Sequence, residues 1–255
     1  MNSKMKILTV DIETSPNLVW VWGLFNQNIA ISQVVEPTFI MTWAAKWHGQ
    51  KQVHFRRHTD DDFLEKIWEL LDQADAVVHW HGKRFDIPHL NREFLEEGMV
   101  PPSNYFEIDL YQVVKSRFRF TSNKLQFVAQ EILGTGKLPT GGFGLWTACL
   151  DGHEWAWRKM RQYNIQDVVI TDRLYDKLKG WVKNHPNHAL YVEDQENPIC
   201  RNCGSDKVKN NGPEYDTTGV FAYQRLKCME IGCGANLRGR DAIKGSKKVS
   251  MQVVK

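Results

Sequence analysis

The stretch KILTVDIETS, residues 6–15, decides how this chain reads. Its first half is apolar and β-branched, which predicts a buried strand over residues 6–12. That run meets Asp11 and Glu13 at once. Residues two apart on a strand point to the same face, so the two carboxylates stand side by side at a strand end. Two negative charges in a dry setting are costly unless a cation offsets them. A hard divalent metal would do so, and so would a strand end that turns one carboxylate to water. The pair alone does not decide between these.

Working outward, alternation predicts a second strand from Leu18 to Leu24 and a third between Phe39 and Phe55, interrupted near Gly49. Thr59-Asp60 reads as a helix cap, followed by helical spacing through Phe63, Ile67, Leu70 and Leu71. Ala76 to Trp80 is a short apolar strand, and Asp86 to Glu97 a helix stopped by Gly98 ahead of Pro101-Pro102. Tyr105 to Ile108 is the last short strand. Helical patterns follow over 109–116, 124–133 and 154–180, with a glycine-rich loop around 134–143. That order predicts an α/β fold, a mixed sheet flanked by helices.

Two further elements bear on chemistry. Asp86 follows a strand and opens a helix, at the carboxyl end of the sheet where ligands gather in open α/β folds. Taken alone, an ordinary helix N-cap explains it better, since Asp is a favoured cap. Tyr163 and Asp167 are four apart and share one face of a helix, which also fits a half-buried Tyr beside a surface Asp.

Taken in order, D-x-E on the first strand, F-D before a helix and Y-x3-D on a late helix resemble the DEDD superfamily of 3′→5′ exonucleases. The phenolic third motif is similar to the DEDDy branch, which shares the RNase H-like fold of polymerase proofreading domains. The other branch has His five residues before the last Asp, a position held here by Gln162. The resemblance spans residues 5–180. It implies that Asp11, Glu13, Asp86 and Asp167 bind two Mg²⁺ or Mn²⁺ ions and that Tyr163 orients the attacking water. Two such ions ~3.5–4 Å apart stabilise the attacking and leaving oxygens of phosphodiester hydrolysis together, and oxygen-only ligands favour Mg²⁺ or Mn²⁺ over Zn²⁺. An unperturbed Tyr, with a pKa of ~10, aligns the water rather than deprotonating it. The family often carries Asn five residues before the second-motif Asp, where this sequence has His81. His81 therefore either makes the same contact to the terminal nucleotide or that contact differs.

The neighbours extend this expectation. A backbone N–H at Thr14 or Ser15 is expected to hold the terminal 3′-hydroxyl, as in the family. Phe85 is read as core ahead of a base-stacking ring; Asp109 resembles an Asp often found there in the superfamily, and a simple helix start explains it equally well. Lys124 and Lys137 are candidate phosphate contacts. The tryptophans, Trp20, Trp22, Trp43 and Trp47 among them, are read as core.

The 255 residues, 42% of them hydrophobic, suffice for one ordinary core with a small appendage. No apolar run approaches the ~18–20 residues of a membrane span. The apolar N-terminal run is too short for a secretory signal, so a cytoplasmic location is expected, the host cytoplasm were the chain phage-encoded. From Cys200 to Lys255, eleven Lys and Arg face five Asp and Glu, while the preceding residues are net acidic. A basic end is a footprint of polyanion binding, or simply of solubility.

That end also holds four of the five cysteines, as Cys200-x2-Cys203 and Cys228-x4-Cys233. Such spacing reads as the two knuckles of a zinc ribbon, with one structural Zn²⁺ held by four thiolates. Gly204 and Gly234 follow each knuckle, and Cys149 reads as a small buried hydrophobe. Between the knuckles, alternation puts Phe221, Tyr223, Arg225 and Lys227 on one strand face, rings to stack bases and cations to hold phosphates. Beyond Arg240 no periodic pattern emerges. The organisation expected is residues 1–182 as the exonuclease domain, 183–199 as a polar linker, and 200–255 as the basic ribbon.

The leading reading is a 3′→5′ exonuclease acting on single-stranded 3′ ends of DNA, with RNA left open and a replication or recombination protein as a further partner. A structure-specific endonuclease on the same fold is the second enzyme reading. An inactive nucleic-acid-binding scaffold is the alternative from another class.

Overall fold

The computed structural model describes residues 5–136, 141–192, 197–217 and 221–245. The chain divides into two compact units, Lys6–Tyr175 and a second from Asp176 onward.

The first unit is built on five strands: β1 (Ile7–Thr14), β4 (Ile40–Trp47), β5 (His54–Arg57), β6 (Ala76–His79) and β7 (Phe106–Asp109). Their order is β5-β4-β1-β6-β7. β1 runs antiparallel to β4 and parallel to β6, and β6 parallel to β7, so the sheet is mixed as expected. β1, in the middle, is covered on both faces. Leu8, Val10 and Ile12 pack into a core with α1 (Phe63–Asp72) and α2 (Asp86–Glu96), through Ile67, Leu71, Leu90 and Phe94. Burying each such side chain contributes roughly 1.5–3 kcal/mol. The alternate residues Thr9 and Asp11 hydrogen-bond instead to α6 (Glu154–Leu178). The period of two thus separates an apolar face from a polar face, and the polar face carries the chemistry.

Most predicted elements are present within two or three residues of the expected ends, and the third strand is broken around Gly49 into β4 and β5. Helices α3 (Leu110–Arg117) and α4 (Leu125–Leu133) follow the last strand. The strand expected over Leu18–Leu24 is a departure. Only Leu18–Val19 (β2) is paired, with Val34–Glu36 (β3), and Trp20 to Gln33 forms an exposed arm. The alternation there has no layer to pack against, because β4 already occupies the antiparallel flank of β1. Helix α5 (Gly144–Leu150) is an element the sequence did not announce. It sets Leu145, Ala148 and Cys149 against Met41 and Met160, and burial pushes the Cys149 thiol up to about 11, as fits an inert apolar residue. In the glycine-rich loop, Gly141 and Gly142 have φ of 85° and 77°, while Lys137 lies outside the described residues.

The second unit is a three-stranded antiparallel sheet, β8 (Val208–Thr217), β9 (Phe221–Cys228) and β10 (Asn236–Gly245), with β9 central. The patternless stretch after Arg240 continues β10 to Gly245. Part of the segment read as linker is tied to the first cysteine knuckle. The His188 N–H donates to the Arg201 carbonyl at 2.8 Å, and the Arg201 guanidinium to the His185 carbonyl at 2.7 Å.

Candidate active site and cysteine cluster

The carboxyl ends of the parallel strands β1, β6 and β7 share one edge of the sheet, and Glu13, His79 and Asp109 lie there. α6 crosses the polar face. Its buried positions include Met160, Asn164, Asp167, Val168 and Thr171, a spacing of three to four residues. Asp167 is thereby turned toward β1. Oxygens of Asp11, Glu13 and Asp167 come within 4.8 Å of one another. Carboxylate oxygens sharing one magnesium-sized ion at ~2.1 Å stand ~3–4.2 Å apart. A few tenths of an ångström of side-chain movement therefore brings the three onto a common divalent cation, and the hard oxygen donor set suits one.

Asp86 stands beside that group rather than within it. The β1–β6 ladder is registered only to Thr9 and Val78. Further along, the Ile12 N–H, between the two acidic residues, donates to Asp86 Oδ1 at 3.0 Å. Asp86 thus takes over from β6 where the strands part. Burial pushes its carboxyl up to about 6, against the pull of His79 and the Ile12 N–H, with the Asp109 charge adding to the rise. A nearby cation would hold it ionised.

The turn between β6 and α2 is tightly fitted. The Gly82 N–H donates to His79 Nδ1 at 3.1 Å, and a Cβ at Gly82 would lie 2.6 Å from His79 Cγ and 3.0 Å from Asp86 Oδ2. His81 adopts a left-handed conformation, φ 70°. Its N–H donates to Asp109 Oδ1 at 3.0 Å, its ring meets Tyr111 edge-on at 4.4 Å, and its Nδ1 is buried without a hydrogen-bond partner among the described residues. Asp109 accepts from the Gln112 N–H as the cap of α3, so it both starts a helix and pins the His81 turn.

Asn164 is the residue the sequence reading missed. The Y-x3-D pattern assigns it no role. Its buried amide donates to Asp11 Oδ2 at 2.7 Å, and its carbonyl accepts from the Thr42 hydroxyl at 3.1 Å. It therefore sets the rotamer of Asp11. Only the knowledge of which α6 face meets β1 could have found it. Tyr163 packs edge-on against Trp146, with centroids 6.1 Å apart, in the cluster around Met160.

Of the other expectations, those for Ser15, Phe85 and two of the tryptophans need correction. The Ser15 N–H donates to the Phe39 carbonyl at 2.9 Å, so it is not offered to a terminal hydroxyl. Thr14 closes β1 after a shift of register opposite Ile40. Phe85 is exposed and meets His89 edge-on at 4.8 Å, because the turn points it away from the core. Lys124 is exposed ahead of α4. Trp43 is fully buried and Trp47 packs on the core, but Trp20 and Trp22 project from the arm into solvent.

In the second unit the Sγ atoms of Cys200, Cys203, Cys228 and Cys233 gather within 4.8 Å of one another. Cys200–Cys233 and Cys203–Cys228 lie 3.7 and 3.6 Å apart, far beyond a disulfide. Thiolates on a tetrahedral zinc at ~2.3 Å stand ~3.8 Å apart, so the cluster fits that ion. Hydrogen bonds among the thiols pull the Cys233 thiol down and push the Cys200 thiol up, as one shared set of protons requires. Gly204 and Gly234 have φ of 73° and 57° just after the knuckles, which a Cβ would strain. On β9, Phe221, Arg225 and Lys227 are exposed, while Tyr223 is half-buried under the Arg238 guanidinium, 4.2 Å from its centroid.

A mixed sheet with acidic residues converging at its strand ends defines an α/β domain with a candidate divalent-metal site. The chain belongs to the RNase H superfamily: the RNase_H superfamily model matches residues 8–179, about two-thirds of its length. Membership suggests a nuclease and a nucleic-acid substrate. A comparison with curated proteins gave no match. Among the described residues no helix is long and apolar enough to cross a membrane.

Proposed function

We propose that the first unit is a metal-dependent 3′→5′ exonuclease of the DEDDy type that releases nucleoside 5′-monophosphates from single-stranded ends. The observation that carries this reading is the meeting of Asp11, Glu13 and Asp167 within 4.8 Å, with Asp86 bonded to the strand between the first two. Divalent ions held by these four carboxylates would lower the pKa of water and neutralise charge on the phosphoryl and leaving oxygens. Asn164 orients Asp11. Tyr163, one turn before Asp167, hydrogen-bonds the water and aligns it with phosphorus. As the water oxygen bonds to phosphorus, the bond to the 3′-oxygen of the penultimate nucleotide breaks. His81 and Phe85, at the turn before α2, sit where a terminal nucleotide would be held, and Thr14 closes the strand beside it.

The second unit is proposed as a basic zinc ribbon that grips the strand through the exposed face of β9, with Phe221, Tyr223, Arg225 and Lys227.

The deciding experiment digests single-stranded DNA, duplex DNA and RNA, each labelled at the 3′ end or internally, with Mg²⁺, Mn²⁺ or chelator. Early loss of the 3′ label with stepwise shortening supports the proposal. Early internal cuts would make it an endonuclease, and metal-independent or absent cleavage would remove it.

A further inference from the structure

The arm between β1 and β4 is built rather than loose. The Trp20 N–H donates to the Gln33 carbonyl at 2.9 Å, and the Gln33 side chain donates back to the Trp20 carbonyl at 2.8 Å. The same side chain accepts from the Ala30 N–H at 2.9 Å. At the root, the Thr38 hydroxyl donates to the Ser15 carbonyl at 2.6 Å, and the Thr38 N–H to Asn17 Oδ1 at 2.9 Å. This closed loop nevertheless presents its largest side chains to water: Trp20 is 76%, Phe25 83% and Trp22 99% exposed. Large aromatics carry ~150–250 Å² each, so at these exposures the three rings present roughly 400–650 Å², at or above the upper end of the ~300–600 Å² largest patch of an ordinary monomer. Such a surface marks an interaction site.

Its chemistry narrows the occupant. From Asn17 to Val35 there is no Asp, Glu, Lys, Arg or His. A surface without charge has nothing to attract phosphates or an ionic protein rim. It does have flat π faces, which match the neutral faces of nucleobases. The arm also grows from the carboxyl end of β1, the sheet edge that carries Asp11 and Glu13. The arm's first residue, Asn17, lies four residues beyond Glu13 in the chain, so the platform is rooted beside the carboxylates.

We propose that the arm is a stacking platform for unpaired bases of the nucleic acid whose end reaches the carboxylates. The inference rests on the nuclease reading for the identity of the ligand. It deepens that reading by naming the element that holds the unpaired bases, since bases already stacked in a duplex have no free faces to offer. Stacking is tolerant of sequence, so little base preference is expected.

The test uses the full chain with chelator present, so that no strand is cut. A dye-labelled ten-nucleotide single strand and its duplex are titrated by fluorescence anisotropy at several salt concentrations. Trp20→Ala and Trp22→Ala should each weaken single-strand binding about tenfold, within the range of base–aromatic stacking. The slope of log affinity against log salt should stay that of the unsubstituted chain, since no cation has been removed. Because Trp22 is wholly exposed, the melting temperature should not move, and a fall in it would not mimic the binding result. Unaltered affinity overturns the inference, as does a salt slope that falls with affinity. So does a concentration-dependent dimer, seen by sedimentation, that Trp22→Ala dissolves while strand binding persists. The two readings fail separately. A chain that binds through its indoles yet cuts nothing with Mg²⁺ or Mn²⁺ sinks the nuclease and keeps the platform. A chain that cuts, but whose indole variants bind like the parent, does the reverse.

Discussion

Asp167→Asn should stabilise the metal-free protein while abolishing cleavage. In the folded chain Asp167 is fully buried, with an oxygen within 4.8 Å of oxygens on both Asp11 and Glu13. Two unit charges at that distance repel by about 3.5 kcal/mol at an effective dielectric of about 20. Asp11 and Glu13 are partly exposed and screened, so about half of each pair remains, or roughly 3 kcal/mol relieved. At about 2–4 °C per kcal/mol for a domain of this size, the melting temperature in chelator should rise by roughly 6–12 °C. Saturating Mn²⁺ reverses the order. The parent gains about 4.1 kcal/mol when the ion stands at a thousandfold its Kd, and the variant, short of one charge, gains little. The assay is thermal melting of both proteins in chelator and across a Mn²⁺ titration, with end-label release measured in parallel. A variant less stable than the parent in chelator, yet equally stabilised by Mn²⁺, would show that the three carboxylates do not share an ion and would refute the reasoning.

Asn164→Ala removes the 2.7 Å bond to Asp11 without touching a charge, and should lower cleavage and Mn²⁺ affinity by about 10–100-fold, read by a metal titration of rate. Gly82→Ala forces a methyl into His79 and Asp86, so chemical denaturation should report a loss of about 1–3 kcal/mol together with a fall in rate. Asp172 is bound by His48 at 2.8 Å and by Lys46; burial raises its carboxyl, but these partners outweigh burial and hold it below the unperturbed 3.8. A depressed acid contributes stability that is complete above its unfolded pKa and is lost as pH falls through the folded value. Asp172→Asn should therefore destabilise the chain by up to about 3–5 kcal/mol at neutral pH, and the gap between parent and variant should close below about pH 4. Cys228→Ser should abolish the single zinc expected in the native mass spectrum of the parent, and a variant that retains it would exclude the four-thiolate site.

The sheet and its flanking helices were legible because period two and period 3.6 are local signals, strongest where a strand is buried on both faces, as β1 is. Asp11 and Glu13 could be paired from their spacing alone, and Asp86 from its place after a strand. Asp167 became readable only through its order in the set, since a helical Asp has many ordinary explanations. Asn164 and Gly82 were invisible for a different reason. The value of the first depends on which face α6 turns to β1, and that of the second on how closely His79 and Asp86 approach. Neither fact lies within one element. The arm misled because its alternation imitates a strand, and whether alternating apolar residues are covered depends on a layer that the neighbouring sequence does not supply.

Three of the polar groups on α6, Asn164, Asp167 and Asp172, meet the sheet at fixed places. A helix advances ~1.5 Å and turns ~100° per residue. If α6 slipped by a single position, every one of these groups would miss its mate at once. The Lys46–His48–Asp172 knot, five residues past Asp167, behaves like the detent of a dial, and gives the helix one setting in which it can rest. A protein so indexed should switch between competent and incompetent as a whole, rather than drift through half-assembled forms.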